Sequence, residues 1–246
     1  MTGKDSPSKP PAADKPLTDV PSSSEDVAAF LAKVRTMTPQ PGGTGRGRLI
    51  FAMDATMSRE PTWDMALAIQ GEMFREVKSI GGLDVQLIFF RGLDECRSSG
   101  WVSDAEALAR LMTSVKCHGG YTQIRKVLNH AKRETEKGKV NAVVYVGDAM
   151  EESIDQLCQL SGELGLLGVP LFVFQEGNDP TAEKAFREMA RLSKGAYSRF
   201  DAGSSKQLRE LLQAVAVYAA GGRKALENYS KSQGGQSRLL LEQLKR

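Results

Sequence analysis

The chain has 246 residues, 41% hydrophobic and 26% charged, an ordinary soluble composition with enough apolar material for one large domain or two small ones. Its net charge is only +3, and residues 223–246 hold six Lys/Arg against two Glu, so the positive excess sits in the last segment. The clustered basic face of a nucleic-acid binder is therefore not expected.

Residues 1–24 are rich in Pro, Ser, Lys and Asp, too little to bury to offset the entropy of ordering, and are expected to be disordered. They lack the apolar core and cleavage site of a secretory signal, and no later run approaches about eighteen apolar residues. A cytoplasmic protein without a membrane anchor is expected. Residues 25–38 place Val27, Phe30, Leu31 and Val34 on one helical face behind Ser and acidic start signals. PQPGGTGRG, residues 39–47, reads as a Pro/Gly linker; its glycines precede a strand, whereas a dinucleotide fingerprint follows one.

From residue 48 to about 220 apolar strands alternate with amphipathic helices. RLIFAMD is a strand, and the following helix has Pro61 in its first turn and Met73, Val77 and Ile80 on one face. GLDVQLIFFRG is the next strand, ECRSSGWVS a short strand or hairpin arm, and DAEALARLMTSV and YTQIRKVLNHAKRETEKG are helices. NAVVYVGD, VPLFVFQEG and GAYSRF are strands, with helices over ESIDQLCQLSGELG, TAEKAFREMARLS and SKQLRELLQAVAVYAA. This pattern predicts an α/β fold with a doubly wound, mostly parallel central sheet flanked by helices on both faces. Residues 221–246 read as a basic extension, in which SRLLLEQLKR is a short amphipathic patch able to dock on a partner or on the domain itself.

In such sheets ligands bind beyond the carboxyl ends of the strands. Those ends offer Asp54, Thr56 and Ser58 after the first strand, Gly119, Gly120 and Thr122 before a helix, and Asp148 with Glu151 and Glu152 after NAVVYVG. One or two carboxylates with three hydroxyls form an all-oxygen set suited to Mg²⁺, which keeps several water positions.

Asp54-x-Thr56-x-Ser58, the Gly119-Gly120-Tyr121-Thr122 turn and Asp148 resemble, in that order, the metal-ion-dependent adhesion site of von Willebrand factor A (vWA) domains. The resemblance covers about 175 residues and implies a Rossmann-like vWA fold. It further implies Mg²⁺ (or Mn²⁺) ligated by Ser58 and Thr56, by Thr122 directly or through water, and by Asp54 and Asp148 largely through water. A cation with mainly neutral direct ligands remains undercompensated and attracts an outside carboxylate. The resemblance thus implies a non-enzymatic protein-interaction module whose partner presents Asp or Glu, an adaptor that works beside an AAA+ ATPase or chaperone-like component. Thr56 stands where Ser is usual, Ala149 where Gly is common, and Arg59 follows the motif, facing either the cation or an acidic partner.

Two other readings remain open. A metal-independent vWA scaffold would use the same hydroxyls as turn and helix caps. A haloacid-dehalogenase-like phosphatase also starts with a strand ending in Asp, but needs a second carboxylate where Thr56 stands and a Ser or Thr where QLIFFRG ends in Arg91. Cys96, Cys117 and Cys158 fit neither a disulfide framework nor, with His118 and His130, a paired-ligand zinc site. Cys158 is expected in the core beside Ile154, Leu157 and Leu164, and Trp63 and Trp101 are expected to pack.

Overall fold

The computed structural model describes residues 46–61, 82–200, 205–233 and 236–244. The expected tail (1–24), the helix over 25–38, nearly all of the linker, and the helix after Pro61 with Trp63 lie outside the described residues. Six strands form one sheet: β1 (Gly47–Asp54), β2 (Leu83–Arg91), β3 (Glu95–Val102), β4 (Ala142–Gly147), β5 (Leu171–Glu176) and β6 (Ala196–Phe200), in the order β3-β2-β1-β4-β5-β6. Every pairing is parallel except β2 with β3, the hairpin arm of ECRSSGWVS.

Alternation along the strands sorts the core into two layers. Leu49, Phe51 and Met53 of β1 face one side with Val144, Val146, Phe172 and Phe174. There they meet Leu108 and Met112 of α1 (Ala105–Thr113) and Leu212, Val215 and Ala219 of α5 (Ser205–Gln233). Ile50 and Ala52 face the other side with Val143, Tyr145 and Val173, against α2 (Ile124–Lys137), α3 (Ile154–Leu166) and α4 (Pro180–Leu192). Both faces of the central strands are covered, which is why β1, β4 and β5 read as unbroken apolar runs.

The chain does not stop packing at residue 220. Tyr229 donates its hydroxyl proton to Gln213 Oε1 at 3.2 Å. Sixteen residues along a straight helix would separate these groups by about 24 Å, so the chain folds back between them. The reversal is at Gly222, whose φ of 69° a side chain would oppose. The returning arm and α6 (Gln236–Gln243) bury Leu226, Leu240 and Leu241 in the same layer as Leu49 and Phe51. Gln243 completes the dock: its Oε1 accepts from Tyr197 N at 2.9 Å and its Nε2 donates to Tyr197 O at 3.1 Å. The amphipathic patch of SRLLLEQLKR thus lies on the domain itself, and its amide pairs with edge strand β6 as a neighbouring strand would.

Of two side chains expected to pack, Trp101 does so against the core and Cys158 does not. Cys158 is only partly buried, because α3 turns it away from Leu157 and Leu164, both fully buried. Trp101 lies toward the start of β2, paired with Gln86 and remote from the strand ends, where its indole donates to Glu134 Oε2 at 2.9 Å and Arg48 stacks on its ring.

Candidate metal site

β1 and β4 are central neighbours from which the strand order runs outward in both directions, the switch point where α/β sheets open a crevice. Their register pairs Met53 with Val146. Asp54 therefore lies level with Gly147, and Asp148 leaves β4 one residue beyond, on the adjacent strand about 4.8 Å away. β1 ends there because Asp54 turns the chain: its Oδ1 accepts from Thr56 N at 2.8 Å. A single turn of 3-10 helix, Met57–Arg59, follows and brings the hydroxyls of Thr56 and Ser58 to 3.1 Å of one another.

The Gly119-Gly120-Tyr121-Thr122 turn joins the same rim. His118 N donates to Ala55 O at 2.9 Å, and Tyr121 N to Gly92 O at 3.1 Å. Gly120 permits this approach, since a Cβ there would stand 1.9 Å from Gly92 O. Thr122 is buried and closes a ring with Glu151: its hydroxyl and amide donate to Glu151 Oε2 at 2.7 and 3.0 Å, and Glu151 N donates back to the hydroxyl at 3.2 Å. Glu152 caps α2 instead, accepting from Ile124 N and Arg125 N.

Among the described residues, three buried side-chain oxygens lack any hydrogen-bond partner: Asp54 Oδ2, Asp148 Oδ1 and the Tyr145 hydroxyl. All three belong to the ends of β1 and β4. Burial pushes the Asp54 carboxyl up to about 6, opposed by the hydroxyl and amide of Thr56, reinforced by the charge of Asp148 and lowered slightly by Arg59. Burial, then the charges of Asp54 and Asp148, hold the Tyr145 phenol well above its ordinary value. Native interiors rarely leave such oxygens unsatisfied.

Arg59 faces inward. It is 1% exposed, donates from Nε to Glu176 Oε2 at 3.0 Å, and reaches Asp54 O and Val146 O at 3.4 and 3.3 Å. Its charge is thus directed to Glu176 and to backbone carbonyls of β1 and β4, tying three strand ends together. Glu176 escaped the sequence reading although it ends β5 on this same rim, because a lone carboxylate after a strand carries no motif. Tyr145 was likewise hidden, since its ring belongs to the apolar run of β4, stacked on Phe90 with centroids 6.2 Å apart.

Mg²⁺ or Mn²⁺ passes the test these residues set. The two orphaned carboxylate oxygens and the paired hydroxyls of Thr56 and Ser58 form a hard, oxygen-only donor set that would be satisfied by such an ion. Thr122 fits as well, for its hydroxyl can keep donating to Glu151 while offering a lone pair. Among the described residues no three His, Cys, Asp or Glu side chains stand together as a metal cluster. His130 is engaged with Gln86 Oε1 at 2.8 Å, and His118 is exposed.

No protein-family model and no curated protein matches the sequence. Solved structures do match in fold. An Rpn10 VWA domain is similar over 72% of this chain and 97% of its own, at 10% identity and a TM-score of 0.53. An aerotolerance-related membrane protein from Bacteroides fragilis, carrying multiple mutations to serine, is similar over 69% and 98%, at 17% identity and TM-score 0.53. A mutant of the PilB minor pilin from Streptococcus sanguinis is similar over 78% of this chain and 64% of its own, at 10% identity and TM-score 0.56. The chain has the α/β, Rossmann-like vWA fold: a mostly parallel six-stranded sheet with one antiparallel edge strand, flanked by helices. Among the described residues no helix is long and apolar enough to cross a membrane.

Proposed function

We propose that the chain is a metal-dependent protein–protein interaction module, an adaptor within an intracellular assembly. Asp54, Thr56, Ser58, Thr122 and Asp148 would hold Mg²⁺ or Mn²⁺ and engage an Asp or Glu of the partner. The observation that supports it is the pair of buried, unpartnered carboxylate oxygens on adjacent strand ends, beside two hydroxyls. The ion would supply an undercompensated positive charge open to an outside carboxylate. The chain's own part is to orient it: the Thr56 amide fixes Asp54, Glu151 fixes Thr122, and Arg59 braces the strand ends beneath. Resemblance to intracellular vWA adaptors makes an AAA+ ATPase or chaperone-like component the first partner to test.

Catalysis is not part of the proposal. Thr56 supplies no second carboxylate, and β2 ends at Arg91, ion-paired with Glu95 at 2.8 Å, so the phosphatase pattern lacks two of its groups. One observation favours a metal-independent scaffold: Arg59 already supplies a buried cation to the strand ends. Isothermal titration with Mg²⁺ and Mn²⁺ decides between them. Saturable binding to wild type that is lost in Asp54→Ala is expected, and no saturable heat up to about millimolar metal would leave the scaffold as the function.

A further inference from the structure

We propose that Met57, Leu93 and Tyr121 form a fixed apolar rim that docks a partner segment in which one carboxylate is flanked by bulky apolar side chains; the carboxylate's anchor rests on the metal reading above. Five large hydrophobic residues are exposed among the described ones, and these three are the most exposed, at 50%, 78% and 61%. Scattered apolar residues on a surface carry no message, but these occupy three loops at one end of the sheet. Met57 lies between Thr56 and Ser58, and Tyr121 directly precedes Thr122.

The loops are locked to one another. Tyr121 N donates to Gly92 O beside Leu93, Gln123 Nε2 donates to Arg91 O at 3.1 Å, and Gly120 lies against Gly92 where no side chain could fit. Leu93 and Tyr121 are thereby presented in a geometry that a partner need not reorganise, which lowers the cost of binding. On the Tyr121 side of the rim the local charge matches the proposed occupant, while the exposed Glu60 lies on the Met57 side. Residues 115–126 contain Lys116, Arg125 and Lys126 and no acid. Lys116 and Arg125 are exposed. Lys126 pairs with Asp94. The nearby carboxylates of Glu151 and Glu152 are turned into Thr122 and the α2 amides. An acidic and apolar segment meets complementary charge and apolar surface here, and Tyr is a residue type on which interfaces concentrate their energy.

The test uses the full chain and fluorescein-labelled peptides with one central Asp, flanked either by Leu and Phe or by Ser, with Asn for Asp as control. Fluorescence anisotropy is read in Mg²⁺ and in EDTA. Wild type is expected to bind the Leu/Phe peptide about tenfold or more tighter than the Ser peptide, and Leu93→Ser/Tyr121→Ser to bring them within about threefold. Mn²⁺ binding by the double variant is expected to stay unchanged, which shows that the fold and the metal set survive. Equal binding of both peptides by wild type, a preference surviving in the double variant, or no binding of any peptide overturns the proposal. A Leu/Phe preference that persists in EDTA and in Asp54→Ala supports the rim while overturning the metal reading. A concentration-dependent dimer abolished by the double variant would make the occupant a second copy of the chain, and overturns the proposal.

Discussion

Replacing Asp54 by Asn keeps the oxygen that accepts from Thr56 N and removes a charge from a site with no exposure to water. The folded carboxyl is raised from 3.8 to about 6, chiefly by burial. Because the folded value lies above the unfolded one, the stability Asp54 contributes is fully present below about 3.8 and is lost as pH rises through about 6. Over that interval the ionised form forfeits about 3 kcal/mol. The new amide must find an acceptor where Oδ2 has no donor, a cost of about 1–2 kcal/mol. Asp54→Asn is therefore expected to be about 1–2 kcal/mol more stable than wild type in EDTA at about pH 7.5, with the advantage gone near pH 4. Urea unfolding at both pH values measures it. Saturating Mg²⁺ reverses the order, since at 100 times the dissociation constant an ion stabilises its site by about 2.7 kcal/mol. A variant less stable than wild type in EDTA at neutral pH, or a difference independent of pH, would refute the reasoning.

Arg59→Met leaves Glu176 without its cation, and urea unfolding is expected to show a loss of about 3 kcal/mol or more, largely recovered in Arg59→Met/Glu176→Gln. Glu152→Gln weakens the carboxylate cap on the first amides of α2, and a thermal melt is expected to report a loss of about 1 kcal/mol. Truncation after Gln233 removes Leu240 and Leu241 from the core and Gln243 from the edge of β6. Sedimentation is expected to show more self-association than the full chain at the same concentration, and an unchanged profile would mean that the surface α6 covers is not adhesive.

The fold was legible because its signals are local and repeated. Strands buried on both faces, such as AVVYVG and LFVFQE, cannot hide as loops, and the helices between them carry one apolar stripe each. The end of the domain was legible only in part: SRLLLEQLKR shows an amphipathic patch able to dock on the domain, but Leu226 stands among mostly polar and charged neighbours, and only the reversal at Gly222 brings it back to the sheet. At the candidate site, Asp54, Thr56, Ser58 and Asp148 carry a spaced pattern and lie at or just beyond the ends of β1 and β4, which the sheet makes neighbours, while Thr122 comes from the glycine turn before α2. Arg59 was visible but its direction was not, since that depends on Glu176, a partner 117 residues away in sequence. The split between Glu151 and Glu152 depends likewise on how α2 approaches β4, a matter of tertiary packing that no short window contains.

The most direct measurement is a Mn²⁺-loaded crystal with data collected at the manganese absorption edge. One anomalous peak is predicted among Asp54, Thr56, Ser58 and Asp148, absent in Asp54→Ala. No peak there, or a peak held by Glu151 and Glu152 without Asp54, would contradict a metal site built on the ends of β1 and β4.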